Sequence, residues 1–394
     1  MIYERILKNK TMRYTNKGHE LDKDGAVWAH EQKEYFLWGA AGKGATFIQR
    51  YRQRICIKGI IDRDTHKRGT MLQGVRIYLP DEVDFSHLKI IICTEAYNEV
   101  SKFLDERGLK ENLDYIDYKR FAAVFDWYVD KRVYLNRVDV SVTNRCTLRC
   151  DGCNMLMPNY CKPLDRNLDE IKDDLDALFK WVDIVENLNL LGGEPLLYTQ
   201  LGEVIEYIWE RYKDRVVHIY IFTNGTCTLS DGLAEIAKRT GVIFDISDYT
   251  VGVPQIESRV KAFLDKLQQY ELKYNFKKMD FWLDFGFETA DHSHFTEEQR
   301  IAFFQSCNAP FRGLRNGKLF FCHIEANAIE LGELEEWEGD AFLLDNFASD
   351  RRIELLEFDF GYSMRGYPMI CMRCEGCCSK KKIDVALQRK RNDR

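Results

Sequence analysis

VDVSVTNRCTLRCDGCNM, residues 138–155, is an apolar strand-like run that opens directly onto three cysteines, Cys146, Cys150 and Cys153, in C-x3-C-x2-C spacing. Apolar residues alternating over 138–142 predict a strand, and the thiols follow its end. Three thiolates this close can hold three irons of a [4Fe–4S] cluster and leave the fourth iron without a protein ligand. A structural zinc or iron–sulfur site is instead closed by four ligands. A triad with one open iron suits a cluster that must bind a reactive small molecule.

Further along, the chain reads Leu190-Leu191-Gly192-Gly193-Glu194-Pro195. The cysteine triad and this GGEP turn together resemble the radical S-adenosylmethionine (SAM) superfamily. The resemblance implies that the amino and carboxylate groups of SAM chelate the open iron. It also implies that the GGEP turn, ending the second barrel strand, meets the SAM amino group. Gly192 and Gly193 would then allow close backbone approach, and Glu194 would offer a charge partner. One electron from the reduced cluster cleaves the C–S bond of SAM in this family, giving a 5′-deoxyadenosyl radical that takes hydrogen from an unactivated C–H. Asn224, in Thr223-Asn224-Gly225, matches a family TNG position, and Ser247, in FDISDY, matches a fourth-strand serine that reaches the SAM ribose or carboxylate. As bare residues the two read equally as a turn asparagine and a buried hydroxyl. The chain departs from the family at Gly152, where an aromatic side chain commonly stacks near the adenine.

Around this centre, strand-like runs recur at 138–142, 185–191, 216–222, 242–247 and 281–287, separated by amphipathic helical stretches such as 168–182, 201–212 and 230–240. This alternation predicts an α/β chain with an open, partial (β/α)6 barrel and its chemistry at the strand C-termini. Ahead of it, strands are expected at 34–41, 55–61 and 88–93, with a helix running from 44 to 54. That order predicts a Rossmann-like parallel sheet whose turn, Gly39-Ala40-Ala41-Gly42-Lys43-Gly44, sets backbone N–H groups at a helix N-terminus. Asp62 follows at about the ~20-residue distance at which an acidic side chain meets a ribose hydroxyl. The glycine pattern is G-x-x-G-x-G and not G-x-G-x-x-G, which disfavours a nicotinamide cofactor. The stretch is similar to small domains that precede polysaccharide-pathway enzymes. The resemblance implies nucleotide-sugar binding, or a retained fold that docks a partner or dimerises. Three domains are therefore expected: 1–130 Rossmann-like, 131–300 barrel, and 301–394 a small cysteine-rich domain.

That last segment holds Cys307, nine residues, Gly317, four residues and Cys322, followed later by PMICMRCEGCCS with Cys371, Cys374, Cys377 and Cys378. The C-x9-G-x4-C pattern looks like the SPASM/twitch extensions of radical SAM enzymes. The resemblance implies one auxiliary [4Fe–4S] cluster on Cys307, Cys322, Cys371 and Cys374. Two C-x2-C registers overlap, so Cys377 is an alternative to Cys374, and a zinc ribbon on the same four residues is the competing metal. A four-thiolate auxiliary cluster serves as an electron relay or as a scaffold.

The 394 residues carry 57 basic and 63 acidic side chains, net −6, which implies no polyanion surface and no nucleic-acid partner. The basic residues after Cys378 (Lys380, Lys381, Lys382, Arg389, Lys390, Arg391, Arg394) read as a solvated end. No apolar run reaches the roughly 18 residues of a membrane span, and MIYERILKNK has no signal-peptide apolar region, so a cytoplasmic protein without membrane partners is expected. Thirteen cysteines in a reducing compartment point to metal or reactive thiols.

The expected substrate is a sugar, cyclitol or nucleotide-linked sugar, dehydrogenated or epimerised, with an external one-electron reductase of flavodoxin or ferredoxin type. Oxidation needs a base and an electron acceptor. Epimerisation needs a hydrogen donor on the opposite face, for which Cys161 and Cys227 are the candidates and Cys227, just past Asn224, is the better placed. Cys227 also reads as a buried loop cysteine. Two other classes compete: a peptide- or protein-modifying maturase, and a non-enzymatic iron–sulfur scaffold or redox sensor. Finally, Glu288, Asp291, His292 and His294 in GFETADHSHF are expected near substrate as contacts or a base, with zinc binding there not expected.

Overall fold

The computed structural model describes residues 20–287, 289–307, 311–363, 365–377 and 379–389. Glu288, Cys378, Lys390, Arg391 and Arg394 lie outside the described residues. The chain divides into two compact units, Leu21–Tyr134 and the remainder from Leu135 onward together with Glu20.

In the first unit, β1 (Glu34–Trp38), β2 (Cys56–Ile61), β3 (Met71–Leu72), β4 (Val75–Tyr78), β5 (Ile90–Ile92) and β6 (Tyr115–Asp117) form a sheet in the order β3-β4-β2-β1-β5-β6. All neighbours except the β3–β4 pair run parallel. The strand order reverses between β1 and β5, which is where a doubly wound sheet opens a crevice. Gly39, with φ +120°, ends β1 there, and a Cβ on it would stand 2.6 Å from the Cys93 carbonyl oxygen. Asp62 is taken up by its own surroundings: its carboxylate accepts from Ala40 N at 2.7 Å, Asp64 N at 2.9 Å and Lys67 Nζ at 3.2 Å. Its structural work is to close the glycine turn. Trp28, Tyr35, Phe121 and Phe125 stack under the sheet as the core.

In the second unit, β7 (Tyr134–Thr143), β8 (Ile184–Gly192), β9 (Val216–Thr223), β10 (Ile243–Asp248) and β11 (Lys273–Lys278) build a barrel-like sheet in the order β11-β10-β9-β8-β7. After β12 (Phe281–Leu283), the strands β13 (Gly313–Arg315), β14 (Lys318–Phe320) and β15 (Ala341–Leu343) continue this sheet beyond β7. β13 joins β7 in parallel, so the cysteine-rich segment grows out of the barrel sheet itself. The β13–β14 hairpin turns at Asn316 and Gly317, φ +53° and +68°, the positive-φ pair that a two-residue hairpin demands.

Two strands differ from expectation. The run 281–287 contributes only the short β12, which pairs antiparallel with β16 (Lys382–Asp384) near the end of the chain, not with the barrel. The barrel strand beside β10 is β11, KYNFKK, in which every residue is exposed. An edge strand exposed on both faces has no period-two apolar signal to read.

Candidate active site

The cluster loop, 144–156, leaves the C-terminal end of β7, and the GGEP turn leaves the end of β8 beside it. Their contact is backbone on backbone. Gly193 N donates to Thr143 O at 2.9 Å, and Glu194 N donates to Arg145 O at 2.7 Å. A Cβ on Gly192 would lie 2.2 Å from Thr143 O, and one on Gly193 would lie 2.1 Å from Arg145 O. The two glycines are therefore required first by the cluster loop, because any side chain would push it off the strand ends.

Glu194 is fully buried and brackets two strand ends. Its Oε1 accepts from Thr223 Oγ1 at 2.7 Å and Leu196 N at 3.2 Å, and its Oε2 accepts from Asn224 N at 2.9 Å. Burial raises its pKa to about 7, against the pull of these three donors. Asn224 turns back toward the cluster loop: its Nδ2 donates to Thr147 Oγ1 at 3.0 Å and faces Cys146 Sγ at 3.8 Å. Its Oδ1 accepts from Thr226 N at 3.0 Å and Thr226 Oγ1 at 2.6 Å. Asn224 thus ties the TNGT turn to the first cysteine.

Cys146, Cys150 and Cys153 lie within electrostatic range of one another, and burial raises all three, Cys146 and Cys150 to about 12. Among the described residues, no three histidine, cysteine, aspartate or glutamate side chains stand in metal-holding geometry. What surrounds the three thiols suits a cluster of anionic sulfurs. Cys153 receives the backbone N–H groups of Met157, Met155 and Leu156, Cys146 that of Leu148, and Cys150 the side-chain amide of Gln388. A metal would displace the protons that burial now holds on the sulfurs. Beneath the GGEP turn, Ser141 Oγ is buried without a hydrogen-bond partner among the described residues and would lie 3.1 Å from a Cβ on Gly192. An orphaned hydroxyl there suits a bound polar ligand such as SAM.

The register of the sheet defines its concave face. Asn187 pairs with His218, Asn189 with Tyr220, Phe222 with Asp245, Asp245 with Asn275 and Ser247 with Lys277. Asn189 Nδ2 donates to Asp139 Oδ1 at 2.7 Å, which brings Asp139 of β7 into the same row. Arg137 joins it, pairing with Asp139 at 2.6 Å, with its guanidinium 5.3 Å from the Phe222 ring centroid. Burial alone would raise Asp139, but Arg137 and the His323 ring, 2.8 Å away, outweigh it and hold the carboxyl at about 2. The opposite face, with Val138, Val140, Leu188, Leu190, Ile219, Ile221, Phe244 and Ile246, is buried and apolar. Ser247 lies on the polar face, hydrogen-bonded to Tyr249, whose phenol is in range of all three cluster cysteines.

The second cysteine set also converges. Cys322, Cys371 and Cys374 are in range of one another and of Cys307, and burial raises all three, Cys374 to about 12. Cys377 joins them through a hydrogen bond with Cys307. Five thiols therefore share one neighbourhood, one more than a four-thiolate cluster would use. Gly376 lies beside Cys307, and its φ of +68° is the reason for a glycine there, since a Cβ would make only ordinary contact, 3.4 Å from Cys307 Sγ. A cavity of about 1080 Å³ lies between the cluster loop and the segment carrying Cys374, lined by Cys150, Gly152, Cys153, Asp284 and Arg373 among others.

Cys227 sits half-buried past β9, its pKa raised to about 12 first by burial and then by Glu194. Cys161 is exposed. His292 is buried against Phe295 and Phe303, its ring 6.4 Å from that of His294, and Asp291 and His294 are exposed. Sequence reading passes over Gln388, Ile383, Tyr249 and His323, because only tertiary packing brings the first three to the cluster loop and His323 to Asp139.

The profile of the Radical SAM superfamily matches residues 140–289, the segment that carries the cluster loop, the GGEP turn and the concave row. Residues 140–289 are therefore a radical SAM domain, of a family that uses a [4Fe–4S] cluster and SAM as cofactors. Cys146, Cys150 and Cys153 are the residues that would hold that cluster. A curated relative, GTP 3′,8-cyclase of Syntrophomonas wolfei, is 28% identical over 155 residues, which are 37% of this chain. The chain spans 39% of the length of that relative. Solved structures similar to this chain include BtrN in complex with AdoMet and 2-DOIA, 16% identical with a TM-score of 0.38, covering 64% of this chain and 97% of that one. Streptococcus suis SuiB bound to S-adenosylmethionine is 15% identical with a TM-score of 0.31, covering 61% of this chain and 56% of that one. Among the described residues no helix is long and apolar enough to cross a membrane.

Proposed function

We propose that the enzyme takes a hydrogen atom from a hydroxyl-bearing carbon of a sugar, cyclitol or nucleotide-linked sugar, and that the substrate is dehydrogenated or epimerised. The observation that carries this reading is the polar concave row, His218, Tyr220, Asp245 and Ser247 with Arg137 and Asp139 behind them. Polar groups in a barrel interior cost stability unless they are paired, so such a lining suits an occupant rich in hydroxyls. When bound, the cluster and SAM supply a 5′-deoxyadenosyl radical. The remaining work belongs to the chain: Asn224 and Gly193 hold the cysteine loop, Ser141 and Ser247 offer hydroxyls to the cofactor, and the polar row orients the substrate.

The role of Cys227 separates the two outcomes. Its raised pKa keeps it a thiol at neutral pH, the form that gives a hydrogen atom. In epimerisation the S–H bond breaks, the substrate carbon gains that hydrogen, and the sulfur radical is restored by one electron from an external reductase and one proton from water. In dehydrogenation Cys227 is idle, the substrate hydroxyl gives up its proton to water, and four of Cys307, Cys322, Cys371, Cys374 and Cys377 would hold an auxiliary [4Fe–4S] cluster, a one-electron acceptor when bound. The Leu21–Tyr134 unit, with the strand order of a dinucleotide-binding sheet, supports a nucleotide-linked substrate. The test is deuterium transfer from carbinol-deuterated nucleotide sugars and cyclitols into 5′-deoxyadenosine, using anaerobically reconstituted protein. Transfer from one of them supports the reading; transfer only from a peptide overturns it.

A further inference from the structure

Gly152, just before the third cluster cysteine, has no side chain, and the structure shows what stands there. Its φ is +68°, and a Cβ at this position would lie 2.5 Å from Ile383 Cδ1. Ile383 belongs to β16, held against β12 by the pairs Phe281–Asp384, Trp282–Ile383 and Leu283–Lys382. From β16 the chain runs on along the cluster loop. Val385 and Ala386 are buried among Leu148, Cys150, Val253, Ile256 and Val260. Asp151 N donates to Leu387 O at 2.5 Å, and Arg389 N donates to Arg149 O at 2.8 Å. Arg389 also pairs with Asp151 at 2.9 Å and donates to Asn159 Oδ1 at 2.8 Å.

Between these anchors Gln388 is oriented by both ends of its amide. Its Oε1 accepts from Arg149 N at 2.9 Å, while its Nε2 donates to Ala386 O at 2.7 Å and to Cys150 Sγ at 3.3 Å. Rotating the amide by half a turn would set its NH2 against the Arg149 N–H, so the network fixes which end faces the sulfur.

We propose that residues 381–389 form a strap belonging to the SAM-cluster site, in which Ile383 fills the space left by Gly152 and Gln388 is a positioning residue that donates an N–H to the Cys150 sulfur. Hydrogen bonds to cluster sulfurs stabilise the more negative, reduced state and raise the reduction potential. The strap follows the auxiliary cysteines in sequence, so the folding of that segment and the environment of the SAM cluster are coupled through one continuous piece of chain.

The proposal rests on a cluster at Cys146, Cys150 and Cys153; wild-type protein that loads none there overturns that premise and this contact together. The experiment is an EPR-monitored redox titration of full-length reconstituted protein, wild type against Gln388→Met, with iron counted in both. The expected result is full iron and a shift of the SAM-cluster midpoint to more negative potential, of about tenfold in the reduction equilibrium, ~59 mV for one electron. The auxiliary signal, where present, stays unmoved. Full iron with an unmoved midpoint overturns the role of Gln388. A measurement on wild type avoids any folding defect: labelling glutamine side-chain amides with 15N should change the nitrogen modulation in pulsed EPR of the reduced SAM cluster, and an unchanged spectrum overturns the contact. For the covering role, Ile383→Ala should let a chelator strip the SAM-cluster iron severalfold faster, and an unchanged rate overturns it.

Discussion

Gly193→Ala places the sharpest demand on the site geometry. The added methyl carbon would stand 2.1 Å from Arg145 O, 2.6 Å from Arg145 C and 3.1 Å from Cys146 Cβ. Two of those neighbours are backbone, so no side-chain rotation relieves the overlap. Either the cluster loop or the GGEP turn must move by about 1 Å to reach ordinary carbon–oxygen contact. That movement strains the bonds from Gly193 N to Thr143 O and from Glu194 N to Arg145 O. Overpacking of this kind costs about 1–3 kcal/mol, and each impaired bond about 0.5–1.5 kcal/mol. The sum, ~2–6 kcal/mol, is a large part of a typical total stability. It falls on the residue next to the first cluster cysteine. Gly232→Ala is the control: nothing lies within 4 Å of its added carbon and it sits in the helix Asp231–Thr240, so it should be neutral or slightly stabilising. Denaturant unfolding and iron counts after reconstitution read both variants. Gly193→Ala should lose stability and the iron of the SAM cluster while the C-terminal cysteines keep theirs. A Gly193→Ala protein with wild-type stability and full iron would refute the close-approach argument.

Wild type should hold about eight irons and Cys146→Ala/Cys150→Ala/Cys153→Ala about four, counted with sulfide and EPR. About four in wild type and none in the variant would mean the C-terminal set holds no iron–sulfur cluster. Among the five C-terminal thiols, Cys307→Ala, Cys322→Ala and Cys371→Ala should each lose auxiliary iron. Cys374→Ala should lose it too and Cys377→Ala should not, because four thiolates close a cluster; the reverse would exchange the two. Cys227→Ala should end turnover while SAM cleavage persists if the reaction is an epimerisation, and full turnover removes Cys227 from the mechanism. Glu194 gives a pH prediction for the iron-free protein. Its pKa rises on folding from 4.5 to about 7, so its contribution to stability is full below pH 4.5 and is lost as pH rises through 7. That loss is about 3 kcal/mol. Denaturant midpoints across pH 4–8 should fall more in wild type than in Glu194→Gln, and parallel curves would contradict the burial argument.

Much of the site was legible because its parts are local. The cysteine triad lies within one loop, and the strand-then-turn order of β7 and β8 follows from apolar runs that alternate with helices. The same reading places Gly192, Gly193, Glu194 and Asn224 at strand ends, where the structure has them. It assigns them to SAM, whereas in the structure their shown partners are backbone and side chains of the cluster loop and its neighbours. β11 escaped because an exposed edge strand carries no buried face. The run 281–287 misled because its backbone pairs with the C-terminal β16 and not with a barrel strand, although Trp282 is packed.

Spacing along the chain therefore pointed to an iron–sulfur cluster, since ligands a few residues apart are kept close by the chain itself, and the resemblance carried by the triad and the GGEP turn implied SAM. Everything set by register or by distant return of the chain had to wait for the tertiary structure. The polar concave row exists only once β8, β9 and β10 pair in one alignment, for a shift of one residue would turn it outward. Cys377 meets Cys307, Ile383 fills the space at Gly152 and Gln388 reaches Cys150 through contacts spanning 70 to 238 residues. No local propensity encodes such contacts, because the packing that creates them is a property of the whole folded unit.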